Sequence, residues 1–335
     1  MNDMISVIVP CYNIGSLVER SVRSIMRQSY PKLEIILVND GSKDDTPEVL
    51  CRLMKDDARI KVINQENGGV TSARLTGVRA AAGEWIGFVD GDDEIESNMY
   101  EVLLGQALKH HADISHCGYQ MVFPSRIDFY YNTGRLAQQD RKTGLQDLLN
   151  GDYVEPGLWN KLYRRALFDR LLQEHIIDQS IKINEDLLMN FYLFREAKHS
   201  VFLDKCFYHY MVRCGSAATA QVNENKLRDP LLVLKTILAE VNDDPELCRI
   251  VIGRIAQQLV ALATLSARSR PELIKPYRTN ARMELRKMLP QLLRGDNSKR
   301  IKMLSIWAAA WPASFRWAHW LYSHLRGTDK KYEVS

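Results

Sequence analysis

The chain has 335 residues, 46% of them hydrophobic and 26% charged, proportions that exclude a disordered or fibrous protein. Its net charge of +4 is too mild to argue for nucleic acid. The charge is unevenly spread: from Arg228 onward there are 19 basic and 10 acidic residues, a net of +9, which leaves −5 in front and predicts two regions with different partners. Residues 5–9 are β-branched, short and closed by Pro10, and read as a buried strand. Ser16 and Glu19 form a capping box before a helix with Val18, Val22 and Ile25 on one face. A second strand at 34–38 runs into Asn39-Asp40-Gly41-Ser42, after which Thr46 caps a helix with Pro47 at its first position. Strand three covers 60–63, a helix covers 70–82 with Gly83 as its stop, and strand four at 84–89 runs into Asp90-Gly91-Asp92-Asp93. Residues 97–216 are mixed, with helices near 97–109, 144–150 and 186–197 and short strands between. Beyond 223 only helical periodicity remains, near 224–241, 246–267, 272–288 and 301–325.

Alternating strands and helices predict a mostly parallel α/β sheet covered on both faces, whose ligands bind beyond the carboxyl ends of the strands. Those ends carry Tyr12 and Asn13, Asp40, and Asp90 with Asp92. Carboxylates two apart at a strand end can face one Mg²⁺ or Mn²⁺; a solvated acidic turn is the other reading of the same residues. An EF-hand loop is excluded because its sixth position, obligatorily Gly, is Ile95. Pro10-Cys11-Tyr12-Asn13 replaces the GxGxxG of a dinucleotide fold, and no P-loop occurs. Asn67-Gly68-Gly69 followed by Arg74 sets flexible backbone and a guanidinium at a helix start, which suits a diphosphate. The six cysteines show no CxxC pair and read as buried thiols in a reducing compartment. No signal peptide is visible, and the best apolar segment, 303–315, is too short to span a membrane.

The order of these motifs resembles the inverting glycosyltransferases of family 2, with the GT-A (nucleotide-diphospho-sugar transferase) fold. The resemblance rests on residues 7–13, 38–46, Asn67-Gly68-Gly69 with Ala73, Arg74 and Gly77, and 83–93, and it covers about residues 4–216. It implies a catalytic domain over 1–220, with a nucleotide-binding half (1–96) and an acceptor-side half (97–220), followed by a helical region over 221–335. By position it implies that Pro10, Tyr12 and Asp40 line the nucleobase pocket and that Asn13 also contacts the nucleotide. Arg74 would face the phosphates or base, Asp90 the ribose or sugar, and Asp92 the Mn²⁺ or Mg²⁺. Leu75 departs from the family, which usually has Asn there. Glu185-Asp186 resembles the family's Glu-Asp motif, making Asp186 the implied catalytic base; without the family it is an ordinary acidic helix start. Trp159-Asn160-Lys161-Leu162 and Tyr208-x-Tyr210-x-x-Arg213-x-x-Ser216 resemble the bacterial polysaccharide and lipopolysaccharide branch. Lys161, Arg213 and Ser216 of these motifs, and Glu185, are candidates for an acceptor site or lid, while Trp159 is read first as packing the fold.

No acidic residue lies between Asn297 and Thr328, a stretch that holds Trp307, Trp311, Trp317 and Trp320 among Lys299, Arg300, Lys302, Arg316 and Arg326. Tryptophan beside cations suits an anionic membrane surface, with Pro312 splitting the segment into two short helices. The alternative is a terminal helical pair packed on the catalytic domain; a nucleic-acid patch fits worse. The expectation is a metal-dependent transferase of a UDP-sugar to a growing bacterial glycan or lipid-linked glycan, at the cytoplasmic face of the inner membrane. A sugar nucleotidyltransferase and a non-catalytic subunit of a glycan-assembly complex are the alternatives.

Overall fold

A computed structural model describes residues 3–130, 132–173, 176–213, 221–267 and 270–318. The chain divides into two compact units, Met1–Val212 and Arg213–Ser335.

The first unit is built on a mixed sheet of ten strands: β1 (Ile5–Cys11), β2 (Leu33–Asp40), β3 (Ile60–Gln65), β4 (Trp85–Phe88), β5 (Glu94–Ile95), β6 (Ile114–Val122), β7 (Ile127–Phe129), β8 (Leu136–Asp140), β9 (Lys161–Arg164) and β10 (His199–Met211). Their order is β3-β2-β1-β4-β9-β6-β10-β5, with β7 on β6 and β8 on β10. The strands from β3 to β4 are parallel. β9 is antiparallel to both β4 and β6, and β10 is again parallel to β6. β2 is buried along its whole length and β1 nearly so, which is why their sequences are continuous apolar runs and do not alternate. The chain steps outward from β1 to β2 and β3, then returns to lay β4 on the other side of β1. That reversal opens a crevice at the carboxyl ends of β1 and β4.

Two local expectations yield to tertiary partners. Helix Gly15–Met26 starts one residue ahead of Ser16, with no side-chain cap. Its first amides are met from a neighbouring loop: Ile14 N–H donates to Thr46 Oγ1 (2.9 Å) and Gly15 N–H to Asp44 (3.1 Å). Glu19 is thereby released to pair with Arg23 and Arg52. Thr46, held by these bonds, is the first residue of helix Thr46–Asp56 and not its cap. Helix Val70–Ala80 lies directly on β1, because Gly77 has no side chain: a Cβ there would sit 2.4 Å from Ile8 Cγ2.

The second unit contains helices Glu224–Glu240, Pro245–Thr264, Pro271–Arg294 and Lys299–Ala310. Pro312 opens a further helical run that the described residues follow to 318. Sequence reading placed a helix near 246–267 but took 303–315 as the best apolar segment; helix Pro245–Thr264, at 20 residues and mean hydropathy 1.3, is long and apolar enough to span a membrane. It is 56% buried and packs on its three helical neighbours, with Val251, Ala256 and Leu259 turned inward, so it serves as the core helix of this unit. Of the described cysteines, Cys11 and Cys117 are buried as expected, whereas Cys51 is exposed; none is bridged.

Gly77→Ala is expected to destabilise the protein by about 1–3 kcal/mol through overpacking. The check is a urea titration, in which the midpoint should fall with the slope unchanged.

Candidate active site

The crevice is lined by the strand tips. Past β1, Tyr12 is 49% exposed and Asn13 adopts a left-handed backbone (φ 52°). The Asn13 amide donates to Ser42 Oγ (3.1 Å), and its Oδ1 accepts from Lys43 N–H (2.8 Å), which ties this tip to the loop after β2. Pro10 is half-buried beside it. At the end of β2, Asp40 is buried and accepts three hydrogen bonds, from Gln65 Nε2 (2.7 Å), Gly68 N–H (2.9 Å) and Gly69 N–H (2.9 Å). Asp40 thus shapes the Asn67-Gly68-Gly69 turn. Gly69, at φ 88°, takes a conformation that side-chain-bearing residues rarely adopt.

Beyond β4 the acidic residues have separate fates. The Asp90 amide donates to Tyr208 Oη (3.2 Å), and one Asp90 carboxylate oxygen accepts from Arg74 (3.2 Å). Asp93 is buried and accepts from Tyr208 O–H (2.7 Å) and Met211 N–H (2.8 Å). Asp92 stays partly exposed, and its backbone carbonyl accepts from Arg20. Arg74, on helix Val70–Ala80, is 5% exposed; Nη1 reaches Glu185 (3.1 Å) and Nη2 reaches Asp90 (3.2 Å), while Nε is buried without a hydrogen bond. The guanidinium is therefore a bridge between carboxylates and not an open phosphate contact.

Glu185 and Asp186 open helix Glu185–Glu196 after Asn184, which is left-handed at φ 64°. An N-terminal first turn favours carboxylates, yet here burial dominates. Burial raises the pKa of Glu185 to about 7, helped by neighbouring Asp186 and opposed by Arg74. Asp186 is raised by burial against the pull of Arg74 and Lys161. Asp90 is raised by burial, against Arg74 and with Asp92; Asp93 is raised well above the usual range by burial and by Asp92 and Asp90. The sequence brought Asp90, Arg74, Glu185 and Asp186 to one place; Asp93 and Tyr208 were missed as a fastening between β10 and the acidic loop. A buried tyrosine two residues before another gives no local signal of its hydroxyl's partner.

Lys161, a candidate acceptor or lid residue, is spent inside the protein. Its fully buried amine donates to the carbonyls of Glu155 and Gly157 and to Asn160 Oδ1, each at 2.6 Å. Burial lowers its pKa to about 8, against the pull of Glu155. Trp159 packs, stacking on Tyr208 at 4.3 Å between ring centres. Arg213 follows β10 and begins the second unit; Ser216 lies outside the described residues.

Among the described residues no group of three or more His, Cys, Asp or Glu side chains could hold a metal unaided. Asp93 accepts two hydrogen bonds and Asp90 is held by Arg74, while Asp92 lies partly exposed beside them. One carboxylate fits a Mg²⁺ or Mn²⁺ whose remaining ligands are phosphates and water.

Known proteins point the same way. Residues 6–172 match the family model described as glycosyl transferase family 2. The glycosyltransferase GlyG of Streptococcus pneumoniae is 34% identical over 68% of this chain and 77% of its own length. The uncharacterized glycosyltransferase EpsJ of Bacillus subtilis is 38% identical over 63% of this chain; the match spans 61% of EpsJ, so the chain covers less than two thirds of that relative. Among solved structures, S. aureus TarS 1-349 in complex with UDP-GlcNAc superposes with a TM-score of 0.68 at 21% identity, covering 97% of this chain and 92% of that one, and supports the GT-A-like fold. Fold, strand-tip carboxylates and relatives converge: the chain belongs to glycosyl transferase family 2.

Proposed function

We propose that the chain is a metal-dependent inverting glycosyltransferase that moves a sugar from a UDP-sugar to a hydroxyl of a growing bacterial surface glycan, such as a lipid-linked oligosaccharide, a capsule or O-antigen chain, or lipopolysaccharide. The observation that carries this reading is the meeting of Asp90 and Glu185 on Arg74 at the carboxyl end of the sheet, with Asp92 and Asp186 beside them. TarS, which shares the fold, is described in complex with UDP and with UDP-GlcNAc, which supports a uridine nucleotide as donor carrier. The cytoplasm is the proposed place of action.

In this reading Pro10, Tyr12, Asn13 and Asp40 receive the base at the tips of β1 and β2, and Asp90 faces the ribose or sugar. Asp92 would hold Mn²⁺ or Mg²⁺ against the two phosphates, and the chemistry this supplies is charge neutralisation on the departing diphosphate. Asp186 takes the acceptor hydroxyl's proton while that oxygen bonds to the anomeric carbon. The carbon–oxygen bond to the diphosphate breaks on the opposite face, which inverts the centre. Burial suits Asp186 to this task, because a carboxylate with raised proton affinity is a better base near neutral pH. Arg74 acts as a positioning residue, keeping Asp90 and Glu185 from repelling each other.

UDP release from a panel of UDP-sugars should depend on Mn²⁺ and stop in EDTA. Asp92→Ala should abolish it, whereas Asp186→Asn should keep donor binding in calorimetry and lose about 10²–10⁴-fold in transfer. Unimpaired transfer by both variants would overturn the mechanism.

A pH effect follows from Glu185. Its folded pKa, about 7, lies above the ordinary 4.5, so the neutral form is favoured by folding. The contribution is complete below 4.5 and is lost as pH rises through about 7. The melting temperature of the ligand-free protein should fall between pH about 5 and about 8, and Glu185→Gln should flatten that fall, by about 3 kcal/mol at most. Parallel melting curves of the two proteins against pH would contradict the assignment.

A further inference from the structure

The second unit carries a surface that sugar transfer does not use. Helix Lys299–Ala310 turns Ile301, Ser305, Ala308 and Ala309 inward. Its outer side is the bulkier and more apolar one: Met303 is 67% exposed, Ile306 40% and Trp307 38%, and in the segment that follows Trp311 (66%) and Trp317 (65%) are exposed too. A water-facing side normally bears polar residues. Packing within the protein explains the inner side only; the outer one is an exposed apolar patch of the kind that marks an interaction site.

Cations surround it. Lys299, Arg300, Lys302 and Arg316 occur in a stretch, 297–328, that has no acidic residue. On helix Pro271–Arg294, Arg278, Arg282 and Arg286 recur at four-residue spacing and share a face. Arg286 Nε donates to the Ala309 carbonyl (3.2 Å), which places that face against the end of helix Lys299–Ala310. Arg278 is crowded: burial, then the charges of Arg316 and Arg282, lower its pKa. Arg278, Arg282 and Arg316 each keep part of their surface exposed. Guanidinium groups gathered in one cluster suit phosphate oxygens.

We propose that this face docks on the headgroup layer of an anionic phospholipid bilayer, with Met303, Ile306 and the tryptophans in the interface and Arg278, Arg282 and Arg316 on lipid phosphates. Indole rings prefer this half-wet layer, and basic residues beside them add attraction to anionic lipid. Beside Trp307 an open cavity of about 570 Å³, walled by Val260, Ala261, Leu304 and Phe315, can receive the end of an acyl chain. An acidic protein would satisfy the arginines but leave five large apolar side chains in water, so the lipid surface accounts for more of the face.

The test is co-sedimentation of the full chain with phosphatidylcholine vesicles, with and without phosphatidylglycerol. Binding is expected only to the anionic vesicles. Replacing Arg278, Arg282 and Arg316 by Gln should weaken it roughly a hundredfold, at about fivefold per charge near the surface. Trp307→Ala with Trp311→Ala and Trp317→Ala, at exposed positions, should abolish it while UDP binding by calorimetry is unchanged. No binding of the wild type to anionic vesicles, or unchanged binding of the tryptophan variant, would overturn the proposal. So would a wild-type dimer in light scattering that dissociates in the tryptophan variant without any vesicle binding.

Discussion

The bridge from Arg74 to Asp90 and Glu185 is the contact on which the rest of the site depends. It joins three segments far apart in sequence: the helix after β3, the tip of β4, and the first turn of helix Glu185–Glu196. Four carboxylates crowd this region, and burial alone would drive them neutral. One guanidinium, itself almost wholly buried, keeps part of that charge in place. A buried ion pair adds little net stability, because desolvation consumes much of the attraction, but losing one partner strands the other. The bridge therefore fixes geometry more than it strengthens the fold.

Around that bridge the protein spends polar groups on fastening. Tyr208 joins β10 to the acidic loop through one hydroxyl, donating to Asp93 and accepting from the Asp90 amide. Lys161 staples the 155–157 loop, and Asn190 of helix Glu185–Glu196 ties the same loop through Gly157 while accepting from Tyr163 O–H (2.7 Å). These are buried, satisfied networks of the kind that hold one arrangement against competitors. Asp90, Asp92 and Asp186 stay partly exposed, whereas Asp93 and Glu185 are buried.

Much of this was legible in the sequence, for identifiable reasons. β1, β2 and β4 are continuous apolar runs ended by polar residues, so both the parallel sheet and its functional edge could be read directly. Motif order assembled Asp90, Glu185 and Asp186, which lie at element ends, with Arg74 in the second turn of helix Val70–Ala80. Illegible were the partners. Whether Thr46 caps its own helix or accepts from Ile14 depends on a loop packed against it, which no local pattern encodes. Lys161 looked available because a lysine's default is solvent; three backbone and amide oxygens converging on it are a tertiary fact. Helix Pro245–Thr264 was read as a helix, but its apolar length went unremarked because its periodicity is that of a core helix, with polar residues interspersed.

The placement of β9 bears on how the chain is made. β4 needs a neighbour on each side, β1 and β9, and β9 comes only at Lys161–Arg164. Until the ribosome has delivered that segment, the four parallel strands have an unpaired apolar border at Trp85–Phe88, the sort of border that recruits foreign strands. The four parallel strands are thus born with a sticky seam that closes only when β9 slots in antiparallel. A nascent chain stalled between β4 and β9 is the natural client of a chaperone.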